Sequence, residues 1–170
     1  MIIGIDTGKN IGIAFIDGSK KIDTIKFTID KEESISDFVN RVIDNDNFYP
    51  RVSNKDTIIF IEGYSIYGAI RSIISATSGK LDIVIRTGIL LEERLKIRCH
   101  KCIVVPPNWK GTMDDKKVKE RIYTVVSRNG FKINYPYVKS SHEWDAVGLA
   151  LNGLGLFNYD KPKKNRTGKK

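Results

Sequence analysis

Two cysteines in 170 residues cannot build a disulfide framework, so a reducing cytoplasm is the expected setting. No apolar run approaches the roughly 20 residues that a membrane helix needs. The opening residues, Met1-Ile2-Ile3-Gly4, place no basic group ahead of their apolar side chains and do not read as a secretory signal. No internal repeat is visible, and no linker before residue 158. These absences argue against a disulfide-stapled secreted domain, a membrane-spanning chain and a solenoid. What is present is 41% hydrophobic residues, enough for a core, on a length that favours one domain. That domain is expected over residues 1–158, followed by a basic, disordered tail over 159–170.

The formal charge is +9, and it is unevenly spread. Residues 161–170 carry six basic and no acidic side chains, which leaves about +3 for the body. The tail reads equally as a solubilising end or as an arm that attracts phosphate over long range.

Hydrophobic patterning predicts an α/β chain. Residues 2–6 and 11–16 are short apolar runs, and Asp17-Gly18 suits a tight turn with positive φ. Ile25, Phe27 and Ile29 then alternate with polar residues, which completes an antiparallel meander. Ile35, Phe38, Val39, Val42 and Ile43 recur at helical spacing behind Ser34, a plausible N-cap. A continuous apolar strand at 57–61 ends at Glu62-Gly63. A helix follows from about Gly79 to Arg98, with Leu81, Val84, Gly88, Leu91 and Leu95 on one stripe. Ile103-Val104-Val105 is a fifth strand, Val118 to Val126 a third helix, and the last helix runs from about His142 to Phe157. The order predicts a mixed sheet with helices on both faces.

Three acids occupy costly positions. Asp6 and Glu62 each end an apolar strand, and Asp145 lies at the start of the final helix beside Trp144. Each has a bland reading: a turn acid, a strand end, a favourable charge on the helix dipole. Together they suit a divalent cation that takes carboxylate oxygens, water and a substrate phosphate. Two such ions can activate water and stabilise a leaving oxygen in phosphodiester hydrolysis. His142 lies three residues before Asp145, on the same helix face. Glu143 is given a structural task instead, in a capping box with Ser140.

The segment from Trp109 to Arg121 is basic, and Lys110, Lys116, Lys117 and Lys119 are candidates for phosphate contact. An ordinary solvated helix face is the competing reading. Tyr64, Tyr67 and Arg71 follow Glu62 without a clear period; the tyrosines could stack on unpaired bases or pack on the core. Cys99-His100-Lys101-Cys102, lacking a second ligand pair, reads as structural.

Gly4-Ile5-Asp6-Thr7-Gly8-Lys9-Asn10-Ile11-Gly12-Ile13-Ala14, Phe60-Ile61-Glu62-Gly63 and His142-Glu143-Trp144-Asp145-Ala146 resemble, in order and spacing, the RuvC resolvases. Trp109-Lys110-Gly111 resembles their phage-encoded members, and the likeness covers about residues 1–157. It implies an RNase H-like fold with a five-stranded sheet, and a homodimer that nicks four-way DNA junctions symmetrically. It implies Mg²⁺, with Mn²⁺ as a substitute, two ions per site, on Asp6, Glu62 and Asp145. His142 matches a position that is Asp or His in the family. Tyr64 or Tyr67 stands near the aromatic that members insert at the junction centre, although Ser65 occupies the aligned place. The setting implied is a bacterial or phage-infected cell. Rival readings are a non-catalytic nucleic-acid-binding module and a ribonuclease H acting on RNA–DNA hybrids. An actin-like ATPase needs a second domain and further Gly-rich loops, which 170 residues do not offer.

Overall fold

The computed structural model describes residues 1–63, 80–98, 101–106, 109–111, 113–134, 138 and 140–157, without the side chains of 80–82. Tyr64, Ser65, Tyr67, Arg71, Cys99, His100, the side chain of Leu81 and the basic tail lie outside the described set.

The N-terminal meander forms as its alternation requires: β1 (Ile2–Asp6), β2 (Asn10–Ile16) and β3 (Lys21–Thr28) pair antiparallel in sequence. The turn between β2 and β3 corrects the sequence expectation. Gly18 does not carry the positive φ; Lys20 does, at 63°. Asp17 Oδ1 closes the turn by accepting from the Ser19 and Lys21 amides, each at 2.9 Å.

Two helices follow, α1 (Ile35–Ile43), capped by the Ser34 side chain, and a four-residue α2 (Tyr49–Val52) that is too short to leave a sequence period. Then come β4 (Ile58–Glu62), α3 (Lys80–Arg98), β5 (Cys102–Val105), α4 (Asp115–Arg128), β6 (Lys132–Ile133) and α5 (Ser141–Gly153). The sheet order is β5-β4-β1-β2-β3-β6, with β1, β4 and β5 mutually parallel. The α/β expectation and the five expected strands are present. The sixth is β6, which pairs only Lys132 and Ile133 with Lys21 and Ile22.

The pleat sends alternate side chains to two cores. Ile3, Ile5, Ile11, Ile13, Ile59 and Ile61 meet α1 and α3 on one face. Leu91 and Leu95 of the apolar stripe are fully buried there, so this core claims them. On the other face Ala14, Ile16, Ile22 and Phe60 meet α4 and α5. The last helix is shorter than expected. Gly155 adopts a left-handed φ of 72°, and the Leu156 amide returns to the Leu151 carbonyl, which ends α5 and folds Phe157 back into the core.

Helix α5 lies unusually close to the sheet, and two glycines allow it. A Cβ on Gly4 would stand 2.1 Å from the Ala146 carbonyl oxygen, and one on Gly12 would stand 2.1 Å from that of His142. Both obstacles are backbone, so no side-chain rotation relieves them. Residues 143–151 of α5 are buried without interruption, which explains why this helix has little amphipathic character. Gly4→Ala is therefore expected to destabilise the fold by at least about 1–3 kcal/mol. Gly18→Ala, where a Cβ meets nothing within 4 Å, is expected to stay within about 0.5 kcal/mol of wild type. Urea unfolding of the two variants checks the contrast.

Candidate active site

Topology sets two carboxylates side by side. Strands β1 and β4 are adjacent and parallel, with Ile5 opposite Ile61, so Asp6 and Glu62 leave the sheet at the same end. Crevices beyond the carboxyl ends of parallel strands are the usual ligand sites of α/β sheets. The two carboxyls share a hydrogen bond. Asp6 is 5% exposed, and desolvation raises its pKa to about 7; the bond to Glu62 opposes that rise. Desolvation first, then the Asp6 bond and charge, raises Glu62 to about 8. Both carboxyls are thus pushed above the usual carboxylate range, which favours protonation of the pair near neutral pH.

Helix α5 brings the other two groups. Ser140 caps it in the expected capping box: its Oγ accepts from the Glu143 amide, and Glu143 Oε2 accepts from the Ser140 amide at 2.9 Å. Glu143 Oε1 also accepts from Thr24 Oγ1 at 2.9 Å, which ties the helix start to β3. Thus anchored, and lowered onto Gly12, the first turn points His142 at Asp6. His142 Nδ1 lies 2.6 Å from Asp6 Oδ2.

The proton on His142 can be placed by following the bonds outward. Thr28 Oγ1 donates to Asn10 Oδ1 at 2.7 Å, which orients the amide so that Nδ2 faces His142 Nε2 at 3.3 Å. Nε2 is then an acceptor, and Nδ1 carries the hydrogen toward Asp6. Burial, followed by the charge of Lys26, lowers the His142 pKa, in keeping with a neutral ring.

Asp145 is 7% exposed, and desolvation raises its pKa. It couples electrostatically to Asp6 and Glu62, and its direct partner is Lys110, with Nζ 2.5 Å from Oδ2. The neighbour of that lysine, Trp109, is 6% exposed; its Nε1 donates to Glu62 Oε1 at 3.1 Å. Its ring packs on Phe157, 5.3 Å between centroids, and against Gly148, where an added Cβ would come within 2.4 Å of it.

The structure therefore brings Asp6, Glu62, His142 and Asp145 to one end of the sheet, and Lys110 with them. Trp109 and Asn10 are site residues that the sequence reading did not assign. A polar residue opening an otherwise apolar β2 was the available signal for Asn10. Among the described residues no three His, Cys, Asp or Glu side chains stand as a preformed metal cage. Lys110 engages Asp145, and His142 and Glu62 engage Asp6. The donor chemistry nonetheless suits a hard divalent ion: buried carboxylate oxygens with mutual repulsion, beside one imidazole.

Lys116 and Lys119 line a cleft of about 280 Å³ that adjoins Asp145 and includes Ser140, Ser141 and Trp144. Lys119 Nζ lies 5.1 Å from the Trp144 ring centroid. Lys117 faces a different groove, with Arg121 and Arg128, and pairs with Asp114 at 3.5 Å. Lys116 and Lys119 thus project together, and Lys117 does not join them.

No family model matches the chain, and no curated protein does. Among solved structures, the Fowlpox virus resolvase in complex with substrate Holliday junction DNA aligns with a TM-score of 0.53 at 17% identity, covering 91% of this chain and 99% of that one. The T. thermophilus RuvC–Holliday junction complex (TM-score 0.46, 15% identity, 92% and 98% covered) and the yeast mitochondrial Holliday junction resolvase Ydc2 (0.46, 14%, 92% and 79%) also align. The Fowlpox virus structure carries the comparison, and at this identity it speaks to fold: the chain has the RNase H-like fold of that viral resolvase.

Proposed function

We propose that the chain is a metal-dependent endonuclease that resolves branched DNA, four-way junctions above all. One observation carries the reading: three carboxyl groups distant in sequence, Asp6 and Asp145 buried and Glu62 half-buried, gather at the carboxyl end of the sheet, in a fold similar to that of a resolvase solved with a Holliday junction. A core that only needed stability would not keep acids there, because a buried unpaired charge is costly.

Asp6, Glu62 and Asp145 would hold Mg²⁺, or Mn²⁺ in its place, with His142 beside them. Two bound ions would supply a nucleophile from water and stabilise the leaving oxygen. The protein's own contribution is placement. Trp109 and His142 fix the Glu62 and Asp6 carboxyls, and the capping box fixes the helix that carries Asp145. Lys116 and Lys119, in the cleft beside Asp145, would meet the phosphates that flank the cut. Tyr64, Tyr67 and Arg71, which follow Glu62 in sequence, are further candidates for DNA contact. A homodimer fits a substrate of approximate two-fold symmetry, since a two-fold protein presents two such sites.

Asp6→Asn is expected to lower cleavage of a synthetic four-way junction by at least about a hundredfold, with junction binding retained. EDTA should stop the wild-type reaction. A hybrid RNA–DNA duplex cut faster than the junction would replace this substrate with that of a ribonuclease H.

The acids also make stability depend on pH. Asp6 and Glu62 keep their protons in the fold up to about 7 and about 8, whereas the unfolded chain releases them near the ordinary carboxylate range. The folded state then binds more protons, so metal-free stability falls as pH rises through that window. A divalent ion binds the ionised forms and should restore stability most at the alkaline end. Thermal melts from about pH 5 to about pH 8, with and without Mn²⁺, should show this divergence, and Asp6→Asn should flatten the metal-free slope.

A further inference from the structure

The ammonium of Lys110 sits inside the acidic site. Its Nζ is 2.5 Å from Asp145 Oδ2, with the lysine side chain only 25% exposed and the aspartate 10%. Its charge is also felt by Glu62 and Asp6. The backbone that carries it is held, because adjacent Trp109 is buried and bonded to Glu62. The side chain beyond it is a flexible stem with four rotatable bonds. An ammonium on such a stem provides the neutralising charge for Asp145 that a divalent ion would otherwise provide.

We propose that Lys110 is a resident counter-ion of the carboxylate site, which an incoming divalent cation must displace from Asp145. The inference rests on the metal-dependent reading above and adds a property to it: metal entry is an ion exchange. The protein would then discriminate against weakly held cations, because only an ion that outbids a tethered ammonium takes the oxygen. The metal-free fold is protected in the same way, since without Lys110 the Asp145 carboxylate, 10% exposed, loses the cation that pairs with it. Lys110 acts here as a positioning residue, since it holds a ligand and need not touch the reacting atoms.

Mn²⁺ titration of the full chain by calorimetry, without DNA, tests this. Lys110→Met keeps the length and removes the charge; it is expected to bind Mn²⁺ roughly tenfold more tightly than wild type. Its metal-free melting temperature should fall. Lys110→Arg retains the cation and should bind Mn²⁺ close to wild type, which separates loss of charge from damage to the fold. Equal or weaker Mn²⁺ binding by Lys110→Met, with binding by wild type intact, overturns the exchange and leaves Lys110 as a phosphate contact at most. Absence of Mn²⁺ binding in every variant overturns the metal-dependent reading, and the exchange with it.

Discussion

Two neighbouring carboxyl groups at the ends of adjacent parallel strands, one buried and one half-buried, resist carrying charge together without a cation beside them. That constraint organises the whole site. Asp6 and Glu62 meet it with ionisation pushed above the usual carboxylate range, and Asp145 by taking Lys110 as its partner. Each arrangement neutralises charge in a place where solvent cannot. Hydrogen bonds from Trp109 and His142 then hold the acids in place. A site arranged this way is stable without metal and still made of the oxygen donors that a hard ion prefers.

The sheet alone does not deliver that arrangement. It supplies Asp6 and Glu62, and α5 must descend far enough to add His142 and Asp145. Gly4 and Gly12 permit the descent, because any side chain there would collide with helix backbone. The capping box and the Thr24–Glu143 bond then fix where the helix begins. Fold and site are thus coupled through one helix. The packing that buries α5 without interruption also sets the angle at which its first turn addresses the carboxylates.

Much of this was readable beforehand. The strands β1 to β5, the caps Ser34 and Ser140, and the structural task of Glu143 follow from local pattern, because alternation and capping are short-range physics. The misses have local causes too. Strand β6 is two residues long and α2 four, below the length at which any period shows. The Asp17-Gly18 turn was expected to place its strained residue at the glycine. The Asp17 side chain instead organises the turn and leaves the positive φ to Lys20. The final helix was drawn past Gly155, where a left-handed residue stops it.

For the site the division is different. By its own order of residues the sequence determined which side chains carry chemistry: two acids that end apolar strands, and a His and an Asp three apart at a helix start. Only the tertiary structure decided what those groups touch. That the Trp109 indole anchors Glu62, that Asn10 sets the His142 tautomer, and that Lys110 holds Asp145 while Lys117 turns away all depend on contacts between residues 35 to 132 positions apart. Local pattern cannot encode such contacts. They arise from strand order, from the depth at which α5 seats on two glycines, and from the cost of leaving a buried charge alone.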